Sequence, residues 1–200
     1  SENGNWKFLN IDEKTGEFIC PPGSSGHRWQ EKKGSWNLQY NDGETGKEYN
    51  PLLSLIEQKH EILQVVFIHF EQNKKVKRGV PVKYLQTKNG KIAFTTVYDL
   101  MMAQHGVSRG LDGEYPADYE DSTSAYTPAW QEIYTGISSG TVIQFAREWY
   151  KTAQATNGKC SVIIGAGITH WYHSNLIYRA ATMSLILTGC IGVNGGGMNH

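Results

Sequence analysis

Two glycine-rich segments of this sequence carry residue types that could bind an anion. The first segment opens with Gly165 and Gly167 and continues through histidine and aromatic side chains to His173. It directly follows a predicted strand, and open α/β sheets bind ligands beyond the carboxyl ends of their strands. Glycine at such a turn lets main-chain N–H groups approach a phosphate, although the spacing lacks the third glycine of a dinucleotide fingerprint. Phosphate binding and a tight structural turn are therefore both compatible with this pattern.

The second segment covers residues 188–197 and ends in three consecutive glycines. Successive glycine N–H groups can form a concave anion site, and the missing side chains let a planar ligand approach the backbone. The same residues also suit a glycine cap on the preceding helix, followed by flexible chain. The pattern leaves both readings open. Cys190 within it is expected to be a small buried packing residue rather than a reactive thiol.

His170 and His173 are three positions apart, so a helical turn would place both imidazoles on one face. The chain offers no third ligand at a matching spacing, and we predict no metal site. Imidazoles at these positions can donate hydrogen bonds to a bound polyanion or supply a proton near neutral pH. Capping of the following helix is the alternative. Trp171 and Tyr172, between the histidines, can either stack on a planar ring or pack in a core.

The composition excludes several other kinds of protein. The 200 residues contain 19 basic and 19 acidic side chains, so no global charge draws the chain to nucleic acid or to an anionic membrane. The three cysteines, Cys20, Cys160 and Cys190, form no C-x-x-C pair. This favours a reducing compartment and argues against a zinc or iron–sulfur site built by this chain alone. No apolar stretch of the sequence, residues 183–187 included, is long enough to cross a bilayer. No P-loop, nucleophile-elbow or H-E-x-x-H motif occurs.

The first part of the chain is predicted to be rich in strands. Residues 1–58 contain short β-like runs and are predicted to form a β-rich extension. Residues 61–70 are so apolar that we expect a buried strand. Residues 81–95 contain Asn89-Gly90 between two strand-like runs, which is a strong signal for a hairpin. The basic residues 74–78 are expected to form a solvated turn.

The second part is predicted to alternate helices and strands. A helix is expected over residues 97–104, and residues 107–126 then form a long acidic and tyrosine-rich stretch without periodicity. A loop of that length in a compact domain is usually functional or packs on a partner surface. Further helices are predicted over residues 128–136, 138–157 and 174–188, with a strand over 159–164. The expected N-caps are Thr95 or Thr96 for the helix at 97–104, Thr127 for that at 128–136, and Ser138 or Ser139 for the next.

Helix, strand, glycine turn and helix in succession are typical of an α/β fold. We predict a three-layer, mostly parallel α/β domain over residues 59–200, with the β-rich extension before it. The chain starts without Met and stops inside a glycine-rich turn. We therefore expect it to be a piece of a longer protein.

The sequence resembles the molybdopterin oxidoreductases of the dimethyl-sulfoxide-reductase class over most of its length. Within that class, the His-Trp-Tyr-His run at residues 170–173 is similar to the catalytic alpha subunits of respiratory nitrate reductases. The same branch has Gly-Cys-Ile-Gly, here residues 189–192, where the wider class has Gly-Asn-Ile-Gly. The motifs that carry the resemblance occur in family order at residues 128–137, 142–149, 165–173, 187–192 and 195–197, and the helix at 99–104 and residues 22–38 also match.

The resemblance implies that this chain is an internal part of a much longer subunit. Such subunits hold one molybdenum through two molybdopterin guanine dinucleotides and also carry a 4Fe-4S cluster. The metal-ligating Asp and the cluster ligands of the class belong to a segment that this chain does not contain. His173 becomes the catalytic candidate, as the hydrogen-bond donor nearest the metal and not as a metal ligand. The cofactor-binding candidates carried over by position are Gly165, Gly167, Thr169, His170, Trp171, His173, Gly189, Gly192, Asn194, Gly195 and Gly196.

The implied activity is the reduction of nitrate to nitrite by oxygen-atom transfer at molybdenum. The implied partners are an iron–sulfur beta subunit and a membrane quinol-oxidising gamma subunit, which place the parent on the cytoplasmic face of the cell membrane as a peripheral subunit. The isolated 200 residues are expected to be inactive.

Three alternatives stay open at this stage. One is another molybdopterin oxidoreductase, acting on formate or a different oxyanion. Another is a stand-alone nucleotide-binding module, which would need both glycine-rich segments on one face. The third is an interaction piece that contacts its partner through residues 1–58 and 107–126.

Overall fold

The computed structural model of the protein describes residues 10–16, 18–19, 40–41, 48–68 and 74–200. The chain divides into two compact units, Ser1–Gly136 and Ile137–His200. No helix in the described ranges is long and apolar enough to cross a membrane. The elements are β1 (Asn10–Ile11), β2 (Phe18–Ile19), β3 (Tyr40–Asn41), β4 (Glu48–Tyr49), β5 (Glu61–Ile68), β6 (Lys75–Thr87), β7 (Gly90–Phe94), α1 (Val97–Gln104), α2 (Pro128–Thr135), α3 (Ser139–Ala155), β8 (Ser161–Ile163), a 3₁₀ turn (Ala166–His170), α4 (Ser174–Leu187) and β9 (Gly197–Asn199).

Helices and strands are mixed, as the sequence predicted, but most of the strand pairing is antiparallel. β5, β6 and β7 form a three-stranded antiparallel sheet in that order, and β8 pairs with β9 in parallel. The described parts of the β-rich extension form two short antiparallel pairs, β1–β2 and β3–β4. The three-layer, mostly parallel sheet is therefore not confirmed. The predicted boundary at residue 58 stays a prediction, and Cys20 lies outside the described residues.

The predicted hairpin is confirmed as the β6–β7 connection. Thr87 lies opposite Gly90, whose φ of +105° is a left-handed conformation that favours glycine. The Thr87 side chain closes the turn, because its Oγ1 donates to the Gly90 carbonyl oxygen at 2.8 Å. Val80 and Val82 of β6 pack against Ala103 of α1 and form the core of this unit.

The prediction that residues 61–70 form a buried strand was wrong for the residues described. β5 is an edge strand, paired only with β6 among the described residues, and its last residue Ile68 is 69% exposed. Val65 and Phe67 contact the core, whereas Ile62 and Val66 alternate onto the opposite, exposed face. An apolar run predicts a strand but not the number of neighbours that cover it.

The prediction of a solvated turn at residues 74–78 was also wrong. Lys75 to Arg78 belong to β6, and Arg78 is buried. Its Nε donates to the Glu114 carbonyl oxygen at 2.8 Å, and its Nη1 donates to the carbonyl oxygens of Ala103 and Gln104 at 2.6 and 2.9 Å. Burial lowers the pKa of Arg78. Because the last carbonyls of a helix have no intrahelical partner and carry partial negative charge, the guanidinium caps α1 from the sheet.

Asp99, in the first turn of α1, joins three parts of the first unit. It is fully buried and accepts hydrogen bonds from Ser54 Oγ at 2.6 Å and from Leu55 N at 2.8 Å. Its carboxylate also accepts from Thr96 Oγ1 and from Arg109 Nη1, both at 2.8 Å. Thr96 caps the helix in return, accepting from Asp99 N at 3.0 Å, as predicted for Thr95 or Thr96. One carboxylate thus fixes the segment before β5, the start of α1 and the long loop after it.

The long loop after α1 contains no helix and no strand, as predicted, and part of it packs back on β6. Gly79 N donates to the Asp112 carbonyl oxygen and Glu114 N donates to the Lys77 carbonyl oxygen, both at 2.8 Å. Farther along, Asp121 accepts from the hydroxyls of Thr123 and Ser124, both at 2.7 Å, and these bonds hold the pKa of Asp121 well below its usual range. Part of the loop therefore has its partner surface within its own unit.

The second unit contains a βαβ arrangement. β8 leads through the 3₁₀ turn into α4, and β9 returns beside β8 in parallel, with Ser161 opposite Gly197 and Ile163 opposite Asn199. The buried core comprises Ala153, Cys160, Leu185 and Cys190. The helix ends agree with prediction, since Ser138 caps α3 and accepts a hydrogen bond from Thr141 N.

We expect Asp99→Asn to lower the free energy of unfolding by about 3–5 kcal/mol, the usual cost of leaving a buried charge without its counter-ion. The amide keeps the size of the carboxylate, but it cannot neutralise Arg109 and offers one acceptor oxygen to four donors. Urea unfolding of the chain measures the change. Asp112→Asn is the matched control, because the Asp112 side chain is exposed in the loop that contains Arg109. This variant should change the free energy of unfolding by less than about 0.5 kcal/mol. Equal losses in both variants would contradict the central place of Asp99.

We expect Gly196→Ala to destabilise the second unit by about 2 kcal/mol or more, because a Cβ there would lie 2.3 Å from the Gly158 carbonyl oxygen and 2.5 Å from that of Cys190. Amide hydrogen exchange across residues 159–164 reports the loss of β8–β9 pairing. Gly140→Ala is the control, since nothing lies within 4 Å of its added Cβ and alanine favours the helix by up to about 1 kcal/mol. Unchanged exchange in Gly196→Ala would show that the chain relaxes around the added methyl group.

Candidate functional site at the carboxyl end of the parallel strands

The parallel pair gives the second unit two distinct ends. At the carboxyl end, Ile164 N donates to the Asn199 carbonyl oxygen at 2.9 Å, so that Gly165 and His200 leave the two strands at one edge. At the amino end, Gly197 N donates to the Cys160 carbonyl oxygen at 3.1 Å. The strands are three residues long, so these edges are roughly 10 Å apart at about 3.3 Å per residue.

The structure separates the two glycine-rich segments that the sequence singled out. The first, residues 165–173, follows β8 at the carboxyl end. The second, residues 188–197, follows α4 and precedes β9, so it lies at the amino end. The two segments therefore do not meet at one edge. A stand-alone nucleotide site would need both of them there.

Gly165 and Gly167 are glycines that the described chain itself does not require. A Cβ added at either position would meet nothing within 4 Å. Gly165 has φ −91°, and Gly167 has no left-handed φ, so other residues could adopt both backbone conformations. Both glycines lie on an exposed turn. The open space in front of them is what a ligand approaching the backbone closely would need.

The side chains that follow present hydrogen-bond donors and rings to the same open surface. His170, Trp171 and His173 are exposed, and the His170 imidazole has no hydrogen-bond partner among the described residues. The Tyr172 ring meets the His173 ring edge-on, with centroids 4.6 Å apart. His173 occupies the N-cap position of α4 but makes no side-chain capping bond, so the capping alternative is not found.

Thr169 differs from its neighbours because its hydroxyl is already engaged. Its Oγ1 donates to the Ala166 carbonyl oxygen at 2.6 Å within the 3₁₀ turn. The hydroxyl can still accept a hydrogen bond, but it can donate to a ligand only after rotating.

His200 is a residue of this edge that the sequence analysis missed. It follows β9 directly, and its ring stacks on Tyr178 of α4 with centroids 6.4 Å apart and an angle of 16° between the planes. Only the parallel pairing of β9 brings it beside Gly165. A three-residue strand between glycines and a chain end offers no periodic signal that could have predicted this pairing.

The second segment is shaped mainly by packing. Gly196 lies against the main chain at Gly158 and Cys190, and no side chain fits there. Gly189, at the end of α4, has φ +68°, which agrees with the predicted glycine cap. Cys190 is buried in the core, as predicted. Burial also raises the pKa of the neighbouring Cys160 thiol, and the nearby Cys190 adds to this shift. Gly192 and Gly195 have φ +78° and +91°, and Asn194 between them is exposed.

The chemistry at the carboxyl end suits an anionic ligand with a planar group. Exposed imidazoles, an exposed indole and accessible main-chain N–H groups can meet phosphate oxygens and a flat ring. Within the described residues, no three His, Cys, Asp or Glu side chains are grouped so that they could hold a metal ion.

Comparison with known proteins identifies relatives along almost the whole chain. The chain is 42% identical to the respiratory nitrate reductase 1 alpha chain of Escherichia coli (strain K12) over 210 aligned residues, which cover 99% of this chain and 17% of that one. It is 39% identical to the nitrate reductase alpha chain of Bacillus subtilis (strain 168), with 100% of this chain and 16% of the relative covered. A perchlorate reductase subunit alpha of Dechloromonas aromatica (strain RCB) is 39% identical over 37% of this chain and 7% of its own length.

No family model matches the chain. The chain spans about a sixth of the length of the curated nitrate reductase alpha chains it matches. Similarity at this level across 99% or more of the chain reflects common ancestry, as the motifs that carry the resemblance had predicted. This chain is therefore a homologue of part of the nitrate reductase alpha chains.

Proposed function

We propose that this chain is part of a molybdenum-dependent nitrate reductase and that it supplies part of the surface holding molybdopterin guanine dinucleotide. The observation that carries the proposal is the similarity of 99–100% of the chain to proteins named nitrate reductase alpha chains. In the full-length protein, nitrate is the substrate and nitrite the product. When bound, the molybdenum supplies the oxygen-atom transfer.

The carboxyl end of the β8–β9 pair fits such a cofactor in its chemistry. The dinucleotide contains a diphosphate and flat pterin and guanine rings. The open space at Gly165 and Gly167 supports close main-chain approach to the diphosphate. The exposed Trp171 indole supports stacking on a ring.

The histidines have separate roles in this proposal. His170, without a hydrogen-bond partner among the described residues, donates to the anionic part of the cofactor. His173 lies nearest the reacting centre and donates a hydrogen bond there, while the edge-on contact with Tyr172 orients its ring. A neutral imidazole has one N–H to donate, so the tautomer must place that proton on the nitrogen facing the cofactor.

The second glycine-rich segment contributes at a different place. Because residues 189–196 lie at the amino end of the strands, they cannot contact the same atoms as residues 165–173. We assign the exposed Asn194, with Gly189, Gly192 and Gly195, to the second of the two dinucleotides. Gly196 acts indirectly, by allowing the main-chain packing that positions the segment.

The three-layer sheet predicted from the sequence is proposed for the full-length protein. Parallel strands are normally covered on both faces and continued on both edges. Among the described residues, β8 and β9 pair with one another and contact α4, and Ile163 of β8 is 80% exposed. Strands and helices from other parts of the full-length protein would cover it.

The proposed assembly is that of a respiratory enzyme. Three of the relatives are named respiratory nitrate reductase alpha chains. We propose an iron–sulfur beta subunit and a membrane quinol-oxidising gamma subunit as partners, with the alpha subunit peripheral on the cytoplasmic face of the cell membrane. The 4Fe-4S cluster of the alpha subunit belongs to residues outside this chain.

A second candidate substrate is perchlorate or a related oxyanion. The specific observation in its favour is the shorter match to a perchlorate reductase subunit alpha. That match covers 37% of the chain, against 99–100% for the nitrate reductase chains, so nitrate is the better supported substrate. The ratio of kcat/KM for nitrate to that for perchlorate in the full-length enzyme decides between them.

We expect Gly167→Ala in the full-length enzyme to lower cofactor content and nitrate reduction with reduced viologen by about 10- to 100-fold. The reason is that a methyl group would hold the cofactor away from the backbone, and displacement near 1 Å is costly at a reacting centre. Gly140→Ala is the matched control and should leave both measurements unchanged, because its Cβ also meets nothing within 4 Å but lies on α3. The isolated 200 residues should reduce no nitrate.

The outcomes separate the site from the function. A full-length enzyme that reduces nitrate while Gly167→Ala retains full cofactor content would disprove the site at residues 165–173 but not the activity. A full-length enzyme without molybdenum or nitrate reduction would disprove the proposed function itself.

A further inference from the structure

Four aromatic rings of the first unit form a continuous row that the proposed function does not use. The row, called the aromatic row below, consists of His105, Tyr126, Trp130 and Tyr134. Successive ring centroids are 5.1 Å apart from His105 to Tyr126, 5.7 Å from Tyr126 to Trp130 and 4.9 Å from Trp130 to Tyr134. All three pairs are tilted at 50–55°, a favourable arrangement for aromatic contacts.

Local structure aligns the aromatic row. Trp130 and Tyr134 are four positions apart on α2 and therefore share one face of the helix. Thr127 caps α2, accepting from Trp130 N at 3.0 Å, and Tyr126 lies just before this cap, outside the helix. Tyr126 has φ +73°, an unfavourable backbone conformation for a residue with a side chain. In this conformation the Tyr126 ring lies between those of His105 and Trp130.

We propose that the aromatic row conducts electron holes, that is, one-electron oxidising equivalents, from Trp130 to the surface at Tyr134. Indole and phenol are the most easily oxidised aromatic side chains, and rings in van der Waals contact exchange electrons readily. The proposal rests on the ring contacts, exposure and charge of the first unit and is independent of the substrate of the full-length enzyme.

A one-electron oxidant, such as a photo-oxidised ruthenium polypyridyl complex, removes one electron from the Trp130 indole. Tyr134 returns one electron to Trp130 and releases its phenolic proton to water, which leaves a neutral phenoxyl radical on Tyr134. A thiol in solution then donates a hydrogen atom and restores the phenol, and two of the resulting thiyl radicals couple to form a disulfide.

The exposure of Tyr134 and the positive charge of Arg78 near Tyr126 direct the electron hole toward Tyr134 rather than Tyr126. Tyr134 is 53% exposed, so water is available to take its proton. Tyr126 lies within electrostatic reach of the buried Arg78 guanidinium, whose positive charge disfavours a further positive charge nearby. Trp130 between them is only partly exposed.

The remaining ring contacts described in the second unit are less suited to this role. Phe145 contacts Trp149, but a phenyl ring is much harder to oxidise than a phenol. Tyr172 with His173, and Tyr178 with His200, are pairs without a tryptophan. Among the described residues, the aromatic row is the arrangement that joins an indole to phenols on both sides.

The test uses the 200-residue chain, the photo-oxidised ruthenium complex and a nitroso spin trap, with adducts located by peptide mass spectrometry. Tyr119 is the internal reference, because it is 60% exposed but lies outside the aromatic row. We expect adducts on Tyr134 to exceed those on Tyr119 several-fold, although Tyr119 is the more exposed. Trp130→Phe should remove this excess, and Tyr119→Phe should leave the Tyr134 adducts unchanged.

Tyr134→Phe provides a second variant, which keeps the ring and removes the hydroxyl, in case Trp130→Phe does not fold. With its electron donor removed, Trp130 should stay oxidised longer and accumulate several-fold more hydroxylated and kynurenine products. Labelling of Tyr134 and Tyr119 in proportion to their exposure, or Trp130 oxidation that Tyr134→Phe does not increase, would overturn the proposal.

Discussion

The parallel pairing of β8 and β9 is the constraint on which the candidate site depends. Two three-residue strands provide few hydrogen bonds, and the pair is held in place by close main-chain packing at its amino end. There, Gly196 fits between the carbonyls of Gly158 and Cys190, and a side chain would leave no room for that approach. Because this end is fixed, α4 can return across the pair and leave the glycine turn after β8 open at the opposite end. At the amino end, glycine makes room for the main chain itself. At the carboxyl end, glycine leaves room for a ligand.

The first unit depends on two buried charges in the same way. Asp99 gathers donors from the segment before β5, from α1 and from the loop that follows. Arg78 reaches from β6 to the last carbonyls of α1 and to Glu114. A buried charge is costly unless every polar atom around it is satisfied, so each of these residues restricts the unit to one arrangement of sheet, helix and loop. The long loop is tied to both charges, through Arg109 to Asp99 and through Glu114 to Arg78.

Much of the local structure was predictable because it depends on neighbours in sequence. Thr96, Thr127 and Ser138 cap helices where the sequence placed them, and Asn89-Gly90 closes a hairpin. Caps and tight turns involve bonds between residues a few positions apart, so the residue types alone specify them. The burial of β5 and the role of Arg78 were not predictable in this way. A basic residue in a charged run and an apolar residue in a strand both depend on what a distant segment places beside them.

The candidate site also has features that the sequence predicts and features that depend on distant segments. By itself, the sequence determined the capped helices, the hairpin and the kinship with the nitrate reductase alpha chains, because these depend on residue types at fixed spacings. It also singled out both glycine-rich segments. Only the tertiary structure decided that these segments lie at opposite ends of a parallel pair, that His200 stands beside Gly165, and that Gly196 serves packing while Gly165 and Gly167 face open space. The physical reason is that glycine has no side chain whose chemistry could indicate a role. Only the atoms around it show whether the missing Cβ makes room for the chain itself or for a ligand.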